Sequence, residues 1–286
     1  GQIAFCGGIN ILDDWYDPRH GQLPHPRLDF AVRARGALVQ QVQETMTQLW
    51  WRLQAVRHAR QHNFPEAFSS FRAAGLHLPW TQDHEAEGDQ IVARAGLLLR
   101  DNVLHRTQIE RAYRKAIAAA RSEVVIANAY FLPGRRLRKA LVMAARRGVR
   151  VRLILQGRYD YFMQYHAVRP VYGKLLAAGI EIHEYTPSYL HAKVAVVDPH
   201  HDRPWATVGS SNLDPLSLLL AREANVLVAD RHFARQLHAR LEQIMAAQCV
   251  AVSIESFRRR SWHQRLRDRI AFGLMRLALF LTGNRY

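Results

Sequence analysis

The chain has 286 residues and carries 40 lysines and arginines against 24 aspartates and glutamates, a formal charge of +16. Hydrophobic residues make up 49% and charged residues 22%, which excludes an intrinsically disordered, collagen-like or mucin-like chain. Its two cysteines, Cys6 and Cys249, are too far apart in sequence to indicate a disulfide framework or a zinc site. The positive charge favours an anionic partner: a membrane surface, nucleic acid or a phosphorylated substrate.

The first third of the chain begins with strand-like sequence and continues into a helix. Residues 1–10 predict a buried strand that ends at a Gly-Gly turn, residues 30–34 a second strand, and residues 36–61 a helix with apolar residues at three-to-four spacing. Residues 64–88 show no clear period, and we predict a domain boundary near Gly88. The chain starts in mid-strand without Met, and we expect it to be part of a longer protein.

Strands and helices alternate after this boundary. The predicted strands are 90–99, 123–131, 149–155, 180–185, 189–198, 205–209 and 223–229, and the predicted helices are 106–121, 135–147, 168–178 and 232–247. This order is typical of an α/β fold in which helices cover a sheet. No apolar stretch approaches the ~20 residues needed to span a bilayer.

Two parts of the chain repeat the same order of elements. AFCGGIN is followed by Asp29 and the strand FAVRA, and later TVGSSN is followed by Glu223 and the strand NVLV, each time with a helix behind. We interpret this as an internal duplication, weak in identity but consistent in order.

The string HAKVAVVD contains His191, Lys193 and Asp198. Residues i and i+2 of a strand share a face, so the imidazole and the ammonium project together, whereas Asp198 lies at an odd offset and is expected to be a structural carboxylate. An exposed polar strand face is the alternative for this string alone. GSSN follows, and its Ser211 and Asn212 are candidate hydrogen-bond donors to a phosphate. Glu223 then begins a strand, and we predict that its carboxylate orients His191.

The combination HxKxxxxD, GSxN resembles the signature of the phospholipase D superfamily. The strings AFCGGINI, LDFAVRARG, ANAYFLPG and GSSNLDPLS are similar to the bacterial cardiolipin synthases within it, from residue 1 to about 252. The resemblance implies an α-β-α sandwich with two pseudo-twofold-related lobes, a phosphohistidine intermediate, and no metal or other cofactor. It also implies two copies of HxKxxxxD, called HKD motifs, of which the first would lie before Gly1. Gly7, Gly8 and Asn10 would then be the phosphate turn of that half, and Asp29 its orienting acid.

The C-terminal segment changes character after Glu255. Trp262, Leu266, Ile270, Leu274, Leu277 and Leu281 share one helical face, and arginines lie mostly elsewhere on the helix. An amphipathic helix rich in arginine is typical of an interfacial membrane anchor, and a helix docked on its own core is the alternative. Tyr130 and Phe131 end a strand near the predicted site, where they would line a lipid or glycerol channel or belong to the core.

We therefore expect three parts: residues 1–88, the rest of a first phospholipase D-like half; residues 89–252, the second half; and residues 253–286, a basic amphipathic helix. The resemblance implies cardiolipin synthesis by phosphatidyl transfer to phosphatidylglycerol, with phosphatidylglycerol or phosphatidylethanolamine as donor. The protein would act at the cytoplasmic face of the inner membrane, peripherally and without nucleic acid. The alternatives are a phosphodiester hydrolase of lipid or nucleic acid, and an inactive basic module that binds membranes or nucleic acid.

Overall fold

The computed structural model describes residues 1–75, 94–101, 105–160 and 162–281. The chain forms two compact units, one of residues 1–5 and 33–97 and the other of residues 6–32 and 98–286. The boundary predicted near Gly88 lies outside the described residues, so the predicted division into three parts stays a prediction.

The first unit contains two helices that pack against each other. Helix α1 (Ala37–Arg60) agrees with the predicted helix, and helix α2 (Phe64–Gly75) lies where no period was recognised. Phe64, Phe68 and Phe71 have helical spacing within it, and Pro65 in the first turn does not prevent a helix, because the first-turn N–H groups have no partner inside a helix.

Most of the strands belong to the second unit. The strands are β1 (Ala4–Gly7), β2 (Tyr16–Asp17), β3 (Gly21–Gln22), β4 (Ala31–Ala34), β5 (Arg94–Arg100), β6 (Glu123–Asn128), β7 (Arg150–Gln156), β8 (Glu181–Tyr185), β9 (Lys193–Val197), β10 (Trp205–Gly209), β11 (Glu223–Ala229) and β12 (Cys249–Ala251). The remaining helices are α3 (Gln108–Ala119), α4 (Arg135–Arg146), α5 (Phe162–Leu176), α6 (Arg231–Gln248), α7 (Ile254–Arg258) and α8 (Trp262–Leu281), with a π-helical turn at Leu216–Leu220.

Eight strands form one mixed sheet in the order β12-β8-β7-β6-β9-β10-β11-β5. β6, β7 and β8 are parallel, as expected for strands joined through α4 and α5, and β9, β10 and β11 follow as an antiparallel meander. β9 is therefore a central strand, paired with β6 on one side and β10 on the other.

Both faces of this sheet are covered. In β6, Val124 and Ile126 face a core cluster formed with α3, α4 and α5, whereas Val125 and Ala127 face a second cluster formed with α6. This alternation follows from the two-residue period of a strand. The predicted α/β class, a mixed sheet covered by helices, is confirmed. The pseudo-twofold relation of two lobes stays a prediction.

The C-terminal segment forms two helices rather than one. α8 packs against α5 through Asp268 and Ala271, which are buried, and through Phe272 and Met275. None of the helices in the described ranges is both long and apolar enough to cross a membrane.

Candidate active site

The strand that carries the HxK string presents its polar residues on one side. Leu190, Ala192 and Val194 belong to the core cluster beneath α6, so His191 and Lys193 project to the opposite side of the sheet. Lys193 is the first residue of β9, and His191 lies two residues before it in an extended segment. Sequence periodicity alone was sufficient for this part of the geometry.

A carboxylate from a distant part of the chain holds the His191 ring. Nδ1 of His191 lies 2.7 Å from Oδ2 of Asp29, 162 residues earlier. The backbone brings the two together, because His191 N donates to the carbonyl of Leu28 at 2.8 Å. A carboxylate on Nδ1 fixes the proton there and leaves Nε2 as the ring nitrogen available to a reactant. The imidazole is a quarter exposed, so a substrate can reach it.

The prediction that Glu223 orients His191 is wrong. Glu223 instead accepts a hydrogen bond from the hydroxyl of Ser210 at 2.5 Å. The reason is the sheet order: β10 separates β11 from β9, so the two strands are roughly 10 Å apart and a carboxylate on one does not reach the imidazole on the other. Burial raises the pKa of Glu223, although hydrogen bonds from Ser210 and Ser217 act in the opposite direction.

Lys193 is an ammonium in a buried, acidic environment. Its side chain is 2% exposed, and burial lowers its pKa to about 8, against the effect of Asp29, Glu223 and Asp214, which favour the charged form. The Lys193 ammonium also donates to the carbonyl of His191. This compact cation beside the imidazole is suited to the charge of a phosphate.

Asp214 is a site residue that the sequence analysis missed. It follows GSSN and is buried, and burial raises its pKa to about 6, although Ser217 N donates to its carboxylate at 2.9 Å. Its charge acts on Lys193. A carboxylate directly after a polar turn at a strand end was the signal available in the sequence.

Two buried asparagines hold the turn that follows β10. Asn225 of β11 accepts a hydrogen bond from Ser211 N at 3.3 Å, and Asn128 of β6 accepts one from Leu213 N at 3.0 Å. Both asparagines are fully buried. Gly209 is required at the base of the turn, because a Cβ there would lie 2.4 Å from the Asn225 side chain. The sequence analysis missed both asparagines, although a polar residue at the end or in the middle of an apolar strand was a usable signal.

Asn128 and Asn225, here called the asparagine clamp, hold the turn that contains Asn212. The Asn212 side-chain oxygen accepts a hydrogen bond from Tyr130 N at 3.3 Å, which leaves the amide NH2 as the group that can donate to a phosphate. Ser211 is fully buried, and its hydroxyl donates to the carbonyl of Asn212 at 3.3 Å. Ser211 therefore stabilises the turn, whereas Asn212 is half-buried and its amide NH2 is the group of this turn that could donate to a ligand.

Asp198 directly follows β9. It has a left-handed backbone with φ of 50°, and its carboxylate accepts backbone hydrogen bonds from Arg121, Ser122 and Glu123 at 2.8–3.0 Å and one from the Ser122 hydroxyl at 2.9 Å. These bonds lower its pKa despite partial burial. The Asp198 carboxylate therefore links the end of β9 to the start of β6, and its structural role stays a prediction.

The same backbone hydrogen bond occurs within each copy of the internal duplication. Gly8 N donates to Phe30 O at 3.2 Å, and Ser210 N donates to Ala224 O at 3.0 Å. In each copy the accepting residue directly follows the predicted orienting acid. The equivalence indicated by element order therefore extends to this one backbone hydrogen bond.

The two predicted residues of the early turn differ in position. Gly8 is buried at the site, where a Cβ would lie 2.7 Å from the Asp29 carboxylate and 3.0 Å from Lys193 Cδ. Asn10 is exposed, and the described residues include no hydrogen bond from it to the site. Gly8 is thus required by the close approach of Lys193 to Asp29.

One further cluster of titratable groups lies away from His191. Glu123, His238 and Glu242 could share a metal by distance alone. The guanidinium of Arg152 donates to both glutamates and lies 3.3 Å from Nε2 of His238, so a cation already occupies the centre of the cluster. We interpret it as a buried ion-pair network.

The chain is similar to known proteins over nearly its whole length. Residues 113–245 match a family described as cardiolipin synthase, PLD-like domain. The chain is 40% identical to cardiolipin synthase B of Escherichia coli K12 over 286 residues and 38% identical to that of Salmonella typhimurium LT2. Each alignment covers 99% of this chain and 62% of the relative, so the chain spans less than two thirds of these proteins.

The fold is also found among solved structures. Phosphatidylserine synthase of Haemophilus influenzae Rd KW20 superimposes with a TM-score of 0.60 at 12% identity, over 90% of this chain and 62% of that one. At this identity the likeness shows the fold alone. Residues 113–245, which contain the HxKxxxxD string and the turn after β10, are similar to the phospholipase D-like domain of this cardiolipin synthase family.

Proposed function

We propose that the protein is a phosphatidyltransferase that makes cardiolipin from phosphatidylglycerol through a phosphohistidine. The observation that supports this best is the Asp29–His191 pair beside buried Lys193. It combines a nitrogen with a fixed tautomer and a cation at one end of the sheet. The cardiolipin synthases among its relatives support the choice of substrate.

The proposed reaction needs two histidines. One attacks phosphorus and the bond to the departing glycerol oxygen breaks, while the other donates a proton to that oxygen. The hydroxyl of a second phosphatidylglycerol then attacks phosphorus, loses its proton to the acid-base histidine, and displaces the nucleophilic histidine. Throughout, Lys193 and the amide of Asn212 balance the phosphate charge.

His191 is the one histidine in the sequence that is followed two residues later by lysine. Glu223 occupies the position in the late copy that Asp29 occupies in the early one. Since Asp29 holds His191, we infer that Glu223 would hold the second histidine. By resemblance the second histidine is the nucleophile and His191 the acid and base.

We also propose that α8 attaches the protein peripherally to an anionic membrane. Trp262, Leu266, Ile270, Leu274 and Leu277 are 48–65% exposed, although they are apolar. At 100° per residue they lie opposite the Asp268 and Ala271 face that packs on α5. Exposed arginines flank this apolar stripe, at positions 265, 269 and 276 on one side and 267 on the other. Docking on the core and membrane contact therefore use opposite faces of one helix.

The test is the product formed in phosphatidylglycerol vesicles by the full-length protein. We expect cardiolipin by mass spectrometry, and a loss of at least ~10²-fold in His191→Ala, because a proton-transfer or nucleophilic group is removed. The exposed loop variant His25→Ala is the matched control and should retain activity. Phosphatidic acid as the sole product would favour the second candidate, a hydrolase, which shares all donor-side residues.

A further inference from the structure

Tyr130 lies near two residues of the candidate site, Asn212 and His191. β6 and β9 pair antiparallel with Asn128 opposite Lys193, and Ala129 N continues the ladder to Ala192 O at 3.0 Å. Tyr130 follows directly, and its backbone N donates to the Asn212 side-chain oxygen at 3.3 Å. Its backbone therefore lies next to Asn212 and one residue from the contact with the segment that carries His191.

The Tyr130 hydroxyl is held by a carboxylate. It donates to Oδ2 of Asp160 at 2.7 Å, in the segment that follows β7. Asp160 is half-buried, and its other oxygen accepts no hydrogen bond from the described residues. A carboxylate in this position can accept a hydrogen bond from a substrate hydroxyl.

A guanidinium lies in the same segment. Arg158 donates to Pro187 O at 3.2 Å and lies 5.4 Å from the ring centroid of Tyr189, two residues before His191. It forms no ion pair within the described part of the chain, and it is half-buried. Asp160 lies two residues after Arg158, so the guanidinium and the carboxylate belong to the same short segment after β7.

We propose that these residues bind the headgroup of the acceptor lipid: Arg158 its phosphate, and Tyr130 with Asp160 a hydroxyl of its glycerol. The inference rests on the proposed function and extends it to the second substrate. A glycerophosphate headgroup offers a phosphate and neighbouring hydroxyls, which match one guanidinium and one carboxylate a few residues apart. Water as acceptor needs neither contact. The segment therefore selects transfer over hydrolysis without taking part in donor cleavage.

The experiment measures how the donor is partitioned. Full-length protein in phosphatidylglycerol vesicles is assayed for cardiolipin, for phosphatidic acid and for total phosphatidylglycerol consumed. We expect Asp160→Asn and Tyr130→Phe to lower the ratio of cardiolipin to phosphatidic acid about tenfold, because each loses a hydrogen bond that involves a charged group. Total consumption should fall much less. Tyr159→Phe, in the same segment but exposed, and Asp202→Asn, an exposed carboxylate, are the matched controls.

Arg158→Gln tests the phosphate contact. We expect it to raise the acceptor concentration needed for half-maximal cardiolipin formation when phosphatidylglycerol is diluted in a neutral lipid, with the thermal midpoint unchanged. An unchanged product ratio in both Asp160→Asn and Tyr130→Phe, from a wild type that makes cardiolipin, would overturn the inference alone. The same holds for an equal loss of both products. A wild type that yields only phosphatidic acid overturns the proposed function as well.

Discussion

Lys193 illustrates at the scale of one residue how function and folding conflict. A lysine of ordinary pKa would be charged at every physiological pH, whereas burial brings this one to about 8. The proposed phosphate site thus depends on a proton that Lys193 holds only weakly. The three nearby carboxylates keep it bound near neutral pH, which explains why acidic residues surround a site for an anion.

Phosphodiester binding is therefore predicted to depend on pH. The lowered pKa means that Lys193 is charged below pH 8 and becomes neutral above it, so affinity should be full on the acid side and fall as pH rises. We expect the affinity for glycerophosphoglycerol, whose own charge is constant, to drop about tenfold between pH 7 and pH 9 by calorimetry. Lys193→Met should bind weakly at both pH values. If Lys193→Met kept the wild-type pH dependence of binding, the assignment of Lys193 as the titrating group would be contradicted.

Asp198 is predicted to support stability rather than chemistry. Its carboxylate accepts four hydrogen bonds, and Asn can present only one oxygen to these donors. Asp198→Asn should lower the free energy of unfolding by roughly 2 kcal/mol or more in denaturant titrations. Asp202→Asn, an exposed change of the same type, should have little effect. Abolished turnover with an unchanged melting temperature would show that Asp198 is catalytic.

At the scale of elements, α8 has two apolar faces with different surroundings. The face with Ala271 packs on α5, and Asp268 on the same face pairs with His166 and Arg260 at 2.7 Å each. These buried polar contacts fix which face docks. The apolar stripe is left exposed by that choice.

Membrane binding should therefore depend on the exposed stripe. We expect the full-length protein to float with anionic vesicles at low salt and less at high salt, since each arginine contributes about 1 kcal/mol that salt screens. Leu274→Asp should weaken binding at every salt concentration without changing the melting temperature. Gln243→Asp, on the exposed side of α6, is the control for added charge. Flotation equal to wild type in Leu274→Asp would exclude the stripe as the membrane contact.

At the scale of the whole molecule, one histidine is not sufficient for the proposed chemistry. A histidine bound to phosphorus cannot also protonate the departing alcohol. Residues 1–286 as a monomer are therefore predicted to be inactive, although Lys193 and Asn212 still bind phosphate. Light scattering and a transfer assay on the same sample give the test. Turnover by a monomer would refute the two-histidine requirement, and turnover by a dimer would indicate that two His191 residues pair.

The local sequence pattern determined the strand faces and the order of elements in much of this protein. The alternation in β9 predicts that His191 and Lys193 project together, and the strand-turn-acid order identifies both copies of the duplication, because strand period and turn chemistry are set by neighbouring residues. The apolar stripe of α8 was also predicted in full, apart from Leu281, whose side chain lies outside the described residues.

Only the tertiary structure decided which side chains contact one another at the site. Asp29 and His191 are 162 residues apart, and their pairing depends on the hydrogen bond between Leu28 and His191, which no local period encodes. Glu223 was assigned to the wrong group because strand order in a sheet is set by long-range packing. For the same reason the hydrogen-bond partners of Asn128 and Asn225, and the exposure of the α8 stripe, became visible only in the fold. Sequence specifies which groups a segment presents, and packing between distant segments specifies what each group contacts.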